Sequence, residues 1–158
     1  MVGRGRDAGR GAGLSVAKRH FTVAEVERLI PRLESLMGRV KEAHAEAGRL
    51  RDELGGAQRA VMLSGGMRIR QEFWRGRKAA IERTAREIQA KLGEIMRTGG
   101  VPKDLELGLV DFPALVGERE ASLCWRFGEK QIRFWHGLDE GYAARKPLPG
   151  RPTTDAEA

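Results

Sequence analysis

Two long stretches of the chain repeat apolar residues every three to four positions, which is the spacing of amphipathic helices. In the first, from about residue 22 to about 54, the apolar positions follow a heptad-like spacing and predict one long helix. Thr22 and Glu25 have the spacing of a capping box, so the helix is expected to begin there. Pro31 interrupts the pattern; a kink in one helix, which we favour, and two separate helices are the alternatives.

A second helix is predicted from about residue 67 to about 97, and Gly99-Gly100 follows its end. Paired glycines at 55–56 and 65–66 flank a short apolar segment, 57–63, that is expected to connect the two helices. Two helices of similar length with a short connection favour an antiparallel helical hairpin.

From about residue 105 the apolar period changes to two, which indicates strands. Pro113 is expected to end the first strand, and Gly128-Glu129 is expected to form a two-residue type II′ turn between the other two. The predicted strands are about 107–112, 120–127 and 130–136. The fold class is therefore predicted to be α+β, with the long helical hairpin packed on a small three-stranded antiparallel sheet.

The predicted turn also fixes a register, in which Cys124 pairs with Arg133 and Ala121 pairs with His136. Because side chains alternate between faces, one face of this hairpin is apolar and is expected to join the core. Its members are Leu123, Trp125, Phe127, Ile132 and Phe134. The other face carries the candidate ligand-binding residues, which are Ser122, Cys124, Arg126, Arg133 and Trp135.

Two guanidinium groups beside an indole suit a bound carboxylate, a phosphate or a planar ligand. The alternatives are an ordinary solvated face, on which the arginines form ion pairs with nearby glutamates, or burial of Trp135 in a dimer. A ligand, if bound, is thus expected to be a small anion.

The same register argues against a nucleophile and base formed by Cys124 and His136. It places the two residues on opposite faces, roughly 10 Å apart at about 3.4 Å per residue. A metal site formed by His136, Asp139 and Glu140 is a weak alternative, because their spacing matches no established metal motif. The sequence therefore predicts no catalytic residue, no cofactor and no metal, and favours a protein that is not an enzyme.

The formal net charge of +7 is concentrated at the N-terminus. Residues 1–20 carry five positive charges and one negative charge, hence +4, and are rich in Gly and Arg. This segment is predicted to be a disordered basic tail, and 149–158 a second tail, on either side of a single domain at 21–148. One Cys, no membrane-spanning apolar run and no signal-peptide pattern favour a cytoplasmic protein.

The start of the second helix carries a basic patch together with two aromatic residues. The patch consists of Arg68, Arg70, Arg75, Arg77 and Lys78. A basic helix of this kind can bind nucleic acid nonspecifically, with help from the basic tail. A solvated helix face is the favoured alternative, because Trp74 falls on the apolar stripe and is expected to be buried.

Four segments carry a resemblance to a known family: FTVAEVERLIPRLESLM, KDLELGLVDFPAL, SLCWRFGE and IRFWHGLDEGYAARKPL. With the helical middle between them, they resemble an uncharacterised prokaryotic family, domain of unknown function 2203, over roughly residues 21–148. The resemblance implies a small bacterial or archaeal cytoplasmic domain. It implies no activity and no site residues.

The sequence favours a non-enzymatic binding or protein-interaction module that self-associates as a homo-oligomer. The reason is the long coiled-coil-like stripe, which exceeds what three strands can cover. The alternatives are a small-molecule or anion-binding protein or enzyme that uses the Cys/Arg/Trp face of the hairpin, and a nucleic-acid-binding protein that uses the tail and the second helix.

Overall fold

The structure, a computed structural model, describes residues 19–65 and 70–152. It has two helices, five strands and a short 3-10 helix at Tyr142–Ala144. The helices are α1, Val23–Leu63, and α2, Gln71–Arg97. The strands are β1, Val101–Asp104; β2, Leu109–Val116; β3, Arg119–Arg126; β4, Phe134–Gly137; and β5, Lys146–Pro147. Most of the two predicted tails, 1–18 and 153–158, lies outside the described residues.

Helix α1 begins at the predicted capping box. The Thr22 Oγ1 atom accepts from the Glu25 amide at 3.2 Å, and the Thr22 amide donates to Glu25 Oε2 at 2.8 Å. The helix remains continuous through Pro31, as one helix rather than two. It also continues through Gly55-Gly56 to Leu63, so the predicted connection at 57–63 is wrong. Each glycine lowers helix stability by about 1 kcal/mol relative to alanine, but residues of high helix propensity follow and the helix continues.

The two helices run antiparallel, as predicted. Arg39 of α1 pairs with Glu87 of α2 at 2.6 Å, and Glu53, further along α1, pairs with Arg77 at 2.8 Å. Later positions on α1 therefore meet earlier positions on α2. The hairpin connection includes residues that are not described, so only its two ends are placed.

The sheet has five antiparallel strands in the order β1-β2-β3-β4-β5, so the prediction of three strands is wrong. Strands β1 and β5 contain four and two residues, which is too short for a period of two to be recognised. Each strand pairs with its neighbour in sequence, and the sheet is a simple meander.

Strand β2 continues past Pro113 to Val116, contrary to the prediction that Pro113 would end it. Strand β1 pairs with β2 only as far as Asp111. Beyond Asp111 the β1-side edge of β2 has no partner strand, so a residue there does not need a backbone amide hydrogen for pairing. The Pro113 carbonyl on that side accepts from the Phe21 amide at 2.7 Å. A proline nitrogen is tolerated here because it faces this open edge.

The register of β3 with β4 differs from the prediction by one residue. The observed partners are Cys124 with Phe134 and Ser122 with His136. Since side chains alternate with a period of two, this shift moves every β4 side chain to the opposite face. His136 thereby joins the face of Cys124, and Trp135 leaves it.

The turn explains the shift. Gly128 has φ of +95° and occupies the third position of a four-residue turn, closed by a 3.0 Å hydrogen bond from the Glu129 amide to the Arg126 carbonyl. This is the place of glycine in a type II turn, not in the predicted type II′ turn. The chain then follows a longer connection to β4. The two-residue turn forms instead at the other Gly-Glu pair, Gly117-Glu118, between β2 and β3.

The two faces of the sheet have different coverings. Helix α1 covers one face and forms the core with it. The core includes Val26, Ile30, Leu33, Met37 and Val40 of α1, Val110 and Phe112 of β2, and Leu123 and Trp125 of β3. The other face carries Asp111, Cys124 and His136 and lies against the segment between β4 and β5. This second face contains the candidate site.

Gly108 is expected to tolerate a side chain poorly. It has φ of +70°, and an added Cβ would lie 2.6 Å from Phe127 Cβ and 3.1 Å from Met37 Cγ. Gly108→Ala is expected to lower the free energy of unfolding by about 2–3 kcal/mol, from backbone strain and crowding together. Urea unfolding monitored by tryptophan fluorescence measures the change.

Gly128→Ala is the matched control, because Gly128 also has a positive φ but no atom lies within 4 Å of an added Cβ. It carries the backbone cost alone, about 1 kcal/mol. Equal losses in the two variants would contradict crowding at Gly108.

Candidate functional site

Three polar side chains meet on the sheet face opposite the helices. Asp111 of β2 pairs directly with Cys124 of β3, and His136 of β4 lies diagonally across from Cys124. All three residues are buried, with exposed fractions of 5%, 1% and 4%. One donor atom from each lies within 4.8 Å of the other two. The predicted separation of Cys124 from His136 is therefore wrong, and the reason is the shifted register.

Both ring nitrogens of His136 face oxygen atoms. Nδ1 lies 2.8 Å from the Gly137 carbonyl oxygen, and Nε2 lies 3.0 Å from Asp111 Oδ2. A carbonyl oxygen only accepts, so Nδ1 must carry a proton and donate it. Nε2 of a neutral ring then presents a lone pair to a carboxylate oxygen, and a proton or a cation must lie between them. The pair therefore offers a position for one positive charge.

The second oxygen of Asp111 is buried and has no nitrogen or oxygen donor among residues 19–65 and 70–152, and the Asp111 side chain also forms a hydrogen bond with the Cys124 thiol. A thiol is a weak donor, so this contact leaves acceptor capacity on the Asp111 carboxylate unused. Asp111 therefore has unused acceptor capacity beside Cys124, in addition to the oxygen that meets His136.

The thiol of Cys124 is held in its neutral form. Burial, and then the negative charge of Asp111, raise the pKa of Cys124 to about 12. Arg145 opposes this effect without cancelling it. Two negative charges in a dry site repel each other, so a thiolate needs a compensating cation.

Cys124 is expected to react slowly with thiol reagents in the metal-free folded protein. A rise in pKa from 9.0 to about 12 lowers the thiolate fraction near neutral pH about 1,000-fold, and burial hinders access further. At least about 100-fold slower alkylation than in urea-unfolded protein is expected at pH 7, measured by mass spectrometry. Equal rates in both states would contradict the burial of the thiol.

A nucleophilic Cys-His pair does not fit this geometry. Each His136 nitrogen already faces an oxygen, of Gly137 or of Asp111, so neither is available to take the proton of the Cys124 thiol. The raised pKa of Cys124 also disfavours formation of a nucleophilic thiolate.

A small cavity of about 170 Å³ adjoins the three residues. Besides them, its lining consists of Lys103, Leu109, Glu140, Gly141 and Tyr142. Lys103 lies in β1 at an irregularity in the pairing with β2, where such a bulge re-aims a side chain. The cavity thus connects the buried donors with polar groups at the surface.

The five predicted ligand-binding residues do not share one face. Cys124 belongs to the buried cluster, and Ser122 lies directly across from His136. Arg126 is exposed and donates to the Tyr142 hydroxyl at 3.0 Å. Trp135 pairs with Leu123 and packs against the helix-side core, and Arg133 is buried just before β4. The grouping is therefore wrong because its register is wrong, whereas a ligand role for any one residue stays a prediction.

The three residues of the weak metal alternative, His136, Asp139 and Glu140, also do not form one cluster of donor atoms. Asp139 is exposed. Glu140 accepts from the Gly137 amide at 2.7 Å and from Lys146 at 2.8 Å, and the Lys146 contact lowers the pKa of its carboxyl group. Only His136 lies in the buried cluster. Asp111 is not among the residues predicted from the sequence, although one acidic residue in the apolar run Leu109–Phe112 is a recognisable signal of a buried polar site.

The basic patch is only partly described, because Arg68 lies outside the described residues. Arg70, Arg75 and Lys78 are exposed. Arg77 pairs with Glu53 and lies 5.2 Å from the centre of the Phe73 ring. Nucleic-acid binding by this patch stays a prediction. Neither helix of the described part has a stretch long and apolar enough to cross a membrane.

Comparison with known proteins identifies the family to which the chain belongs. The family model described as "Uncharacterized conserved protein (DUF2203)" matches residues 19–148, which confirms the resemblance. A search of curated proteins and a search of solved structures each found no match. The site geometry therefore carries the functional interpretation.

Proposed function

Because the chain belongs to the DUF2203 family, whose description assigns no activity, we propose its function from the site: the protein binds one divalent transition-metal ion, Zn²⁺ by preference, through Asp111, Cys124 and His136. The observation that carries this proposal is the convergence of three buried donor atoms, all within 4.8 Å of one another. Exposed acidic groups often cluster without a metal, but a buried set of three different donor types is unusual.

The donor types select the kind of metal. Mg²⁺ and Ca²⁺ take oxygen ligands in six- to eight-fold coordination, which a thiol and an imidazole do not supply. Zn²⁺ accepts sulfur, nitrogen and oxygen at about 2.0–2.3 Å in a tetrahedron. In such a tetrahedron neighbouring donor atoms lie about 3.3–3.8 Å apart. The most distant donors would need to approach by at most about 1.5 Å, and His136 Nε2 and Asp111 Oδ2, now 3.0 Å apart, would need to separate slightly.

The surroundings of the donors support a bound cation. The Nδ1 proton of His136 donates to the Gly137 carbonyl, which is the usual second contact of a metal-binding histidine and leaves Nε2 as the ligand atom. A divalent cation would replace the proton between His136 and Asp111. It would also attract the second oxygen of Asp111 and compensate a Cys124 thiolate, whose proton would be released to solvent.

Cobalt substitution tests the proposal. Reduced protein, treated with a chelator and then titrated with Co²⁺, is expected to develop the visible bands of tetrahedral cobalt and a near-ultraviolet thiolate-to-cobalt band. Both should saturate at one ion per chain and disappear when Zn²⁺ is added. The Cys124→Ser variant is expected to lose the thiolate band.

Failure of Co²⁺ and Zn²⁺ to bind the reduced wild-type protein would refute the metal site. A thiolate band that survives in Cys124→Ser would do so as well, because Cys124 is the only cysteine in the sequence.

Self-association is a second candidate function, supported by the far end of the helical hairpin. Met62 and Leu63 at the end of α1 are 77% and 89% exposed, and Phe73 near the start of α2 is 37% exposed. The sheet packs against the first half of α1, so this end has apolar side chains without a sheet to cover them. A second copy of the chain is the occupant that we propose, as a homo-oligomer with coiled-coil-like contacts.

Sedimentation equilibrium tests this candidate. The wild-type protein is expected to associate at micromolar concentration, and the double variant Met62→Glu/Leu63→Glu is expected to be monomeric. A monomeric wild type would refute the second candidate and leave the metal site unaffected.

We also propose a bacterial or archaeal cytoplasmic location. A reducing compartment would keep Cys124 available as a thiolate ligand, which supports that location.

A further inference from the structure

We infer that the cavity beside the metal site binds a small anion, either a carboxylate or an inorganic oxyanion, as the fourth ligand of the metal. This inference rests on the proposed metal site and identifies the class of molecule that the site recognises. It depends on three observations: the number of donors, the size of the cavity and the charges at its mouth.

The number of donors leaves a coordination position open. Structural zinc sites are usually closed by four protein ligands, whereas sites that bind an exogenous molecule keep three and leave the fourth position open. Asp111, Cys124 and His136 are the three donors that the described residues bring together. The cavity adjoins all three, so an additional ligand can reach the metal from there.

The size of the cavity limits the ligand. A water molecule takes up about 30 Å³ of liquid volume, so about 170 Å³ holds the equivalent of five or six water molecules. A carboxylate or oxyanion with a few heavy atoms fits this space. A nucleotide or a peptide segment does not.

The charges favour an anion. A divalent ion with the Asp111 carboxylate and the Cys124 thiolate sums to zero, and His136 is neutral as a ligand. Among the described cavity residues, Glu140 is paired with Lys146 at 2.8 Å, whereas the Lys103 ammonium has no carboxylate partner in the described part of the chain. One positive charge therefore remains uncompensated at the mouth.

Tyr142 adds a directed hydrogen-bond donor. Its hydroxyl oxygen accepts from Arg126 at 3.0 Å, which leaves the hydroxyl hydrogen free to donate. Tyr142 also lines the cavity. One oxygen of the anion would bind the metal. A second oxygen would accept a hydrogen bond from the Tyr142 hydroxyl and face the Lys103 ammonium.

Titration of the Co²⁺-loaded protein with acetate tests the inference, with acetamide as a neutral ligand of the same shape. Acetate is expected to shift the visible cobalt bands in a saturable manner, and acetamide is expected to leave them unchanged. Lys103→Gln is expected to weaken acetate binding about fivefold and Tyr142→Phe about two- to tenfold, while Co²⁺ affinity stays the same. Lys130→Gln is the matched control, because Lys130 pairs with Glu34 on the helix side.

The outcomes separate the two proposals. A Co²⁺ spectrum that does not respond to acetate would overturn the anion site alone. An equal response to acetate and acetamide, or equal acetate affinity in Lys103→Gln and Lys130→Gln, would also overturn it. Absence of any Co²⁺ spectrum would overturn the metal site and the anion site together.

Discussion

His136→Ala is expected to weaken Zn²⁺ binding by at least about 100-fold. Loss of a residue that only supports a ligand weakens metal binding by up to about 100-fold, and this change removes one of the three proposed ligands. Asp111→Asn and Cys124→Ser are expected to act in the same direction, because an amide carries no charge and a serine hydroxyl stays protonated at neutral pH. Competition with a chromophoric chelator at fixed pH and salt measures the three affinities.

Two control variants match these changes. His44→Ala removes an exposed histidine on α1, and Asp139→Asn removes an exposed carboxylate close to His136 in sequence. Both are expected to bind Zn²⁺ as tightly as the wild type. Far-ultraviolet circular dichroism should confirm that Asp111→Asn, which keeps the shape of the side chain, remains folded. If Asp139→Asn lost as much affinity as Asp111→Asn, the ligand set would have to include Asp139 instead.

Arg145→Met is expected to lower the free energy of unfolding of the metal-free protein by about 3–4 kcal/mol. Arg145 Nη2 lies 2.8 Å from Glu129 Oε1, and the two side chains are only 10% and 15% exposed. The same guanidinium donates to the Cys124 carbonyl at 3.1 Å. Loss of one partner leaves Glu129 charged and largely buried, which is the costly way to break such a pair. Chemical denaturation measures the loss.

An exposed ion pair provides the comparison. Lys130→Met breaks the pair with Glu34, in which Lys130 is 68% exposed, and is expected to cost less than about 1 kcal/mol. The double variant Arg145→Met/Glu129→Met should recover part of the stability lost in Arg145→Met, because no unpaired charge remains. A double variant less stable than Arg145→Met would show that Glu129 contributes mainly through its other contacts.

The course of the helices and the parts of the core in α1 and β3 were predictable because they depend on local patterns. The end of α1 and the face of Phe134 in β4 were predicted wrongly. The period of α1 predicts that Val26, Leu33 and Val40 are buried, and each is completely buried. Leu123 and Trp125 were assigned to the core face of β3 and lie there, with exposed fractions of 1% and 0%. These assignments depend on alternation within one element and not on its partner.

The candidate site was not predictable from the same patterns because it depends on the register between strands. The dipeptide Gly-Glu occurs at Gly117-Glu118 and again at Gly128-Glu129, and only the first forms a two-residue turn. At the second, Trp125 Nε1 donates to the Glu129 carbonyl at 2.9 Å, and Arg145 pairs with the Glu129 side chain. Arg145 lies well beyond the hairpin in sequence, so the residues around Gly128 do not indicate that it pairs with Glu129.

The meander order of the sheet has a consequence for folding. Asp111, Cys124 and His136 come from three successive strands, so the unfolded chain holds them far apart and the donor set forms only with the sheet. A bound ion would therefore act as a reversible cross-link across β2, β3 and β4. At a free ion concentration of 100 times Kd it would add about 2.7 kcal/mol to the stability of the folded state. The melting temperature would then report the supply of the metal.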